Sequence, residues 1–146
     1  MLYIFINKGI FIRKIPFNIN DLDALINQVC TNYNFDRSES VIGGFSQGAG
    51  LAIGLSMIDN GEKPIKKCIP ICGFLPPMDD LVVNWKRVQK TQFLAQFGNN
   101  DPYISSERSS EMIKYFEDNK LNLKVENYEM GHDNTIESIV GIQKFL

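Results

Sequence analysis

The chain carries one histidine, one tryptophan and three cysteines among its 146 residues, and its formal net charge is only −2. Each scarcity excludes something. A Cys/His zinc site draws its ligands from closely spaced pairs. Here Cys30 stands alone, Cys68 and Cys72 lie four apart in an apolar run, and one histidine does not complete such a set, so no metal is expected. An odd cysteine count without paired spacing points to buried, reduced thiols rather than a disulfide framework. The near-neutral balance shows no basic footprint for nucleic acid. No apolar run approaches the roughly 20 residues of a membrane span. The apolar start, residues 1–6, is interrupted by Asn7 and Lys8, lacks a basic leader and is too short for a signal core. Neither end carries a lipidation motif. The expectation is a soluble, cytoplasmic protein without stable membrane insertion.

What is present is ordinary for a globular chain: 44% hydrophobic and 22% charged residues. A chain of this length folds as one domain and buries roughly 68–70% of its unfolded surface. No repeat, low-complexity segment or linker divides it, so residues 1–146 are read as a single domain.

Residues 2–13 hold two short apolar runs around Asn7, Lys8 and Gly9, either a hairpin or one irregular strand. A helix is predicted over 20–33, with Leu22, Leu25, Ile26, Val29, Cys30 and Tyr33 on one face, Asn20 as cap and Asp21 and Asp23 in the first turn. Residues 40–45 read as a strand, followed by a helix over 47–59 closed by Gly61. Residues 67–72 form a buried strand. Residues 73–83 form a loop broken by Pro76 and Pro77, with a helical turn after it. A strand over 92–97 and a helix over 105–119 follow, the helix turning Met112, Ile113 and Phe116 inward. Leu121, Leu123 and Val125 alternate in a strand over 121–128. A last helix over 134–146 is expected to bury Ile136, Ile139, Val140 and Phe145 or Leu146. Strands alternating with helices imply βαβ crossovers, hence an α/β fold with a mainly parallel sheet flanked by helices.

The chemistry concentrates at Gly44-Phe45-Ser46-Gln47-Gly48. A glycine-rich turn with an incidental serine carries the same letters, but this one follows an apolar strand and opens a helix. That context is the nucleophile elbow, in which a sharp turn lifts the serine oxygen above the sheet. Gly43, Gly44, Gly48, Ala49 and Gly50 supply the small neighbours such a turn needs. The helix N-terminus aims free N–H groups at a developing oxyanion. A serine needs a base, and His132 is the sole histidine, in a loop after the 121–128 strand. The base needs a carboxylate to set its tautomer. Asp101 stands in the loop after the 92–97 strand; alone it reads as a turn or cap residue. Asp133 is the rival, but it is adjacent to His132 and poorly placed for the far side of the ring. Ser46, Asp101 and His132 appear in the α/β-hydrolase order, each at a strand end.

The stretch Val41-Ile42-Gly43-Gly44-Phe45-Ser46-Gln47-Gly48-Ala49-Gly50 resembles the elbow of the acyl-protein thioesterases and their phospholipase/carboxylesterase relatives. Cys72 to Pro76 resembles that family's strand and Leu-Pro turn, Gly98 to Pro102 its acid loop, and Tyr128 to His132 its histidine loop. The resemblance runs from about residue 20 to the C-terminus. It implies a Ser-His-Asp serine hydrolase of carboxylic esters, lysophospholipids or S-acyl groups on protein cysteines. The substrate would be an acyl ester or S-acylated protein, and depalmitoylation falls within that range. The resemblance implies no metal or organic cofactor. Ser46 would be the nucleophile, His132 the base and Asp101 the orienting acid. The Gln47 N–H would serve the oxyanion hole, and Leu75, Pro76 and Pro77 would line an acyl groove.

Family members also carry an earlier section of sheet with a His-Gly loop that donates the second oxyanion N–H. Nothing in residues 1–19 resembles it. The expectation is therefore a partial α/β-hydrolase fold with N-terminal strands missing. Loss of one oxyanion donor lowers the rate by about 10²–10³, or ~2.7–4 kcal/mol. The alternative to a working hydrolase is an impaired fragment or pseudoenzyme that binds an acyl chain or a protein. Unpaired strand edges associate readily, so a homodimer is among the expected assemblies.

Overall fold

The computed structural model describes residues 2–5, 19–60, 62–79 and 81–146. Their strands form one five-stranded sheet in the order β1-β2-β3-β4-β5. β1 (Leu2–Phe5) runs antiparallel to β2 (Val41–Phe45), whereas β2, β3 (Lys67–Ile71), β4 (Gln92–Gly98) and β5 (Asn122–Tyr128) are mutually parallel. Helix α1 (Ile19–Asn32) precedes β2. The crossovers carry α2 (Gln47–Met57), α3 (Trp85–Val88) and α4 (Ser106–Asp118), and α5 (Ile136–Phe145) follows β5. Of the apolar start, residues 2–5 form β1; residues 6–18, and with them the choice between hairpin and irregular strand, lie outside the described residues.

Alternation along the strands divides the core in two. Ile42, Cys68, Phe93, Ala95 and Phe97 face Leu22 and Ile26 of α1, Ala52, Ile53 and Leu55 of α2, and Met112 and Phe116 of α4. The rings of Phe93 and Phe116 meet edge to face at 4.8 Å and 89°. Ile69, Ile71 and Leu94 point the other way, with Ile142 and Phe145 of α5 packed on them. Helix α2 is buried along nearly its whole length, which its uniformly small and apolar sequence allows. It ends at Met57, earlier than predicted, because Ile58 turns extended (φ −56°, ψ 136°) and bridges to Val83. Gly61, the predicted closing residue, lies outside the described residues. Cys30, Cys68 and Cys72 are all buried and unbridged.

Three local expectations are corrected. Asn20 lies inside α1, which begins at Ile19, so it does not cap the helix. Tyr33 is 61% exposed because α1 stops at Asn32 and Asn34 takes a left-handed φ of 55°. Asp23 falls beyond the first turn, where Asp21 is the acid, and is buried in a pair with the buried Arg37 of the short 3₁₀ turn Arg37–Glu39.

A fourth correction concerns α5. Ile136, Ile139 and Val140 face solvent and Leu146 is exposed, with Ile136 at 78%. The buried positions are Ser138 and Gly141. The reason lies beneath the helix: Gln96, buried in β4, donates to Glu126, to Tyr128 Oη and to the Ser138 carbonyl. A Cβ on Gly141 would run into Tyr128 Oη and the Glu126 carboxylate. A polar cluster sets which side of α5 docks, and the helix must be small where it crosses that cluster, at Ser138 and Gly141, while Ile142 and Phe145 pack on the apolar core beside it.

Candidate active site

The parallel register brings four strand ends to one edge of the sheet: Phe45 stands opposite Ile71, Ile71 opposite Gln96, and Gly98 opposite Tyr128. Beyond those ends the chain carries Ser46, Cys72, Asp101 and His132.

Ser46 occupies the turn between β2 and α2 with φ 56° and ψ −122°. A non-glycine residue held there stores of order 1–3 kcal/mol of strain. The turn is held on both sides: the Ser46 N–H donates to the Ile71 carbonyl at 2.9 Å, and the Ala49 N–H donates to the Ser46 carbonyl at 2.9 Å. Strand and helix cross so closely that a Cβ on Gly44 would overlap the Gly48 backbone and come within 2.6 Å of Ala49 N. Gln47 is the first residue of α2, where N–H groups have no intrahelical acceptor.

Asp101 uses both carboxylate oxygens. Oδ1 accepts from the N–H groups of Tyr103 at 2.8 Å and Ile104 at 3.0 Å, and Oδ2 lies 2.8 Å from His132 Nδ1. Its side chain is 2% exposed and that of His132 15%. Burial by itself would raise the pKa of Asp101, but the bonds from His132, Ile104 and Tyr103 outweigh it and hold the carboxyl below its ordinary value. With Asp101 ionised, neutral His132 carries its proton on Nδ1 and leaves Nε2 free to accept one. Asp133 is exposed and accepts from the Asn134 N–H at 2.7 Å.

The His132 ring stands between Phe45 (centroids 4.7 Å, 56°) and Tyr103 (5.1 Å, 71°). Its loop is tied to the acid loop by bonds from the Asn99 N–H to the Tyr128 carbonyl (2.9 Å) and from the Asn100 N–H to the Met130 carbonyl (3.1 Å). The side chains of Asn99 and Asn100 both donate to Glu129. A Cβ on Gly98 would strike the Met130 and Gly131 carbonyls, so only glycine lets the two loops touch. Among the described residues no direct hydrogen bond joins Ser46 to His132. What brings the two near each other is Phe45, the residue before Ser46, whose ring packs on the imidazole.

Cys72 is buried at the end of β3 with a positive φ of 44°. Its Sγ lies 3.9 Å from the Gly131 carbonyl oxygen and 3.8 Å from that of Asp133. One donor atom each from Cys72, Asp101 and His132 falls within 4.8 Å of the others, which is spacing a metal ion could use. Those donors are already engaged with one another. Nδ1 is bonded to Oδ2, and burial, then the neighbouring Asp101 carboxylate, pushes the thiol up to about 12.

Pro76 lies against Gly50 of α2 and lines an apolar groove of about 500 Å³, together with Ile19, Leu51, Pro77, Leu81 and Val82. Leu75 is half-buried against the first core instead of lining that groove. The Arg108 guanidinium stacks 4.2 Å over the Phe74 ring and ties this loop to α4. The sequence reading singled out Ser46, Asp101 and His132 but not the positions of Phe45, Tyr103, Gly98 and Cys72 around them. Phe45, Gly98 and Cys72 had a signal only as members of the elbow, the acid loop and the Leu-Pro turn, and Tyr103 had none.

The parallel sheet and its flanking helices form part of an α/β-hydrolase fold. Residues 12–146 match the phospholipase/carboxylesterase family, and the chain belongs to it. Among solved structures it is similar to a carboxylesterase of Bacillus cereus (23% identity, TM-score 0.73, covering 87% of this chain and 57% of that one). It is also similar to a carboxylesterase of Mesorhizobium loti (13%, TM-score 0.74, 87% and 58%) and to acyl-protein thioesterase 2 of Zea mays (16%, TM-score 0.66, 94% and 68%). These likenesses establish the fold. The chain thus spans 57% of the length of the Bacillus cereus enzyme. Comparison with curated protein sequences found no match. No helix among the described residues is long and apolar enough to cross a membrane.

Proposed function

We propose that this chain is a serine hydrolase of carboxylic esters or thioesters. Ser46 attacks the acyl carbon and His132 Nε2 takes its proton. Asp101 holds the imidazole in the Nδ1–H tautomer and stabilises the imidazolium. His132 then gives that proton to the leaving alcohol or thiol, leaving an acyl-Ser46. Water activated by His132 releases the acid. The Ser46 N–H is already bonded to Ile71, so the oxyanion would draw on the Gln47 N–H at the opening of α2. The groove beside Pro76 would take the acyl chain, and an acyl ester or S-acylated protein would be the substrate.

The observation that carries this reading is the buried 2.8 Å bond between Asp101 and His132, beside a serine held in left-handed backbone. Membership of the phospholipase/carboxylesterase family supports the same class of reaction. A second reading, a binding module without turnover, draws on the missing direct bond between Ser46 and His132, although catalytic hydrogen bonds often tighten only with substrate. A fluorophosphonate probe on the purified chain separates the two. Labelling that disappears in Ser46→Ala is expected; no Ser46-dependent labelling would refute the hydrolase reading. p-Nitrophenyl esters of increasing chain length, set against an S-acylated peptide, then distinguish ester from thioester preference.

A further inference from the structure

The end of β3 places a buried thiol among groups that the acid and base need held still. Cys72 Sγ contacts the carbonyls of Gly131 and Asp133, the two residues on either side of His132, at 3.9 and 3.8 Å. The same sulfur faces the Asp101 carboxylate within the 4.8 Å cluster. A left-handed φ of 44° turns the side chain into this position, a conformation a non-glycine residue holds only where its surroundings enforce it. The strand end is fixed by the bond from the Cys72 N–H to the Gln96 carbonyl at 2.8 Å.

We propose that Cys72 is a positioning residue: its thiol lies under the histidine loop and holds both carbonyls flanking His132, and the Asp101 carboxylate, in register with the imidazole. The inference rests on the reading of His132 and Asp101 as base and acid. The thiol remains a donor across the working pH range, because burial and the adjacent carboxylate suppress its ionisation. Sulfur suits the place. Its long, soft contacts let one proton serve several oxygens, and its bulk fills the space under the loop.

The test uses the fact that His132 is the only histidine, so its imidazole NMR signals need no assignment. Three variants are compared with the unaltered chain: Cys72→Ser, which keeps a donor, and Cys72→Ala and Cys72→Gly, which do not. Glycine tolerates the positive φ and guards against misfolding of the alanine variant. The charged and titratable neighbours of the imidazole are Asp101 from the β4–α4 loop, Tyr103 beside the ring and Asp133 next in sequence, with Glu129 further along the loop. All are unchanged among the variants.

Removing the donor releases the two carbonyls flanking His132 and loosens the imidazole against Asp101. In the alanine and glycine variants the Nδ1–H proton of the His132–Asp101 bond should exchange with solvent about three- to tenfold faster, the worth of one such bond. Their kcat on a p-nitrophenyl ester should fall about three- to thirtyfold with KM unchanged, and the serine variant should stay within about threefold. An Nδ1–H exchange rate unchanged in alanine and glycine, or a serine variant worse than alanine, would overturn the proposal and leave Cys72 as packing. If the unaltered chain does not react with fluorophosphonate, the hydrolase reading fails, yet the Nδ1–H exchange measurement still decides the role of Cys72.

Discussion

Asp101→Asn is the sharpest probe of the proposed chemistry, because the surroundings of Asp101 constrain the amide. Two backbone N–H groups, from Tyr103 and Ile104, point at Oδ1, and His132 Nδ1 meets Oδ2. An asparagine that keeps its oxygen toward the two N–H groups presents its NH₂ to Nδ1. Nδ1 must then accept, the ring proton moves to Nε2, and Nε2 can no longer take the proton of Ser46. The flipped amide serves Nδ1 but aims its NH₂ at two N–H donors and strands them in a buried site, at about 1–3 kcal/mol for each unsatisfied group. The first arrangement wins, and it carries the wrong tautomer. The expected loss in kcat/KM is about 10³–10⁴, or ~4–5.5 kcal/mol of transition-state stabilisation. The fold should be spared because the turn bonds to Tyr103 and Ile104 persist. Ester hydrolysis and fluorophosphonate labelling measure the loss, and thermal unfolding checks the fold. An asparagine variant that folds normally and retains more than a tenth of the activity would refute the assignment of Asp101.

Gly98→Ala should cut activity about 100-fold, since a methyl group there pushes the histidine loop off the acid loop by a fraction of an ångström or more; the His132–Asp101 bond is read by the downfield Nδ1–H resonance. Gly141→Ala should destabilise by about 1–3 kcal/mol in urea unfolding, because the methyl meets Tyr128 and Glu126, whereas Ile139→Ser on the solvent face should change stability by less than about 0.5 kcal/mol. For Glu126, burial pushes upward but bonds with Lys124, Tyr128 and Gln96 prevail and bring it down to about 2. Its folded value lies below its unfolded one, so its stabilisation is complete above roughly pH 4.3 and is lost as pH falls toward 2. Glu126→Gln should therefore flatten the acid limb of an unfolding-versus-pH curve; an unchanged limb would count against the Gln96–Glu126–Tyr128 cluster.

The order of strands and helices was legible because β2, β3 and β4 are short apolar runs, β5 alternates, and α1 and α4 carry a helical period of their own. The elbow was legible because a serine among small residues at a strand–helix boundary has few other uses. What sequence periodicity could not reveal is where polar groups would meet inside. Ile136, Ile139 and Val140 have the spacing of a buried face, yet α5 docks through Ser138 and Gly141. The deciding residues are Gln96, Glu126 and Tyr128, on two other elements, whose hydrogen bonds exist only once β4 and β5 pair. Asp23 tells the same story: alone it reads as a first-turn acid, and only the fold brings Arg37 to it. Cys72 was read by composition as one more buried thiol, since its neighbours come from a loop sixty residues away along the chain.

The topology also explains why these particular small residues surround the site. His132 leaves the sheet from β5, three strands from the serine on β2, a span of about 14 Å at the usual strand spacing. His132 lies four positions beyond the end of β5 at Tyr128, a reach of at most about 14 Å when fully extended. The loop has little slack, so it must pass low over the ends of β4 and β3. Gly98 and Cys72 stand under that path, and each is packed against the Gly131 carbonyl. At the far end the requirement reverses: Phe45 is large and stops the imidazole ring beside the elbow. Bulk under the path and loss of bulk at its end should therefore damage the site in the same way, by letting His132 fall short of Ser46.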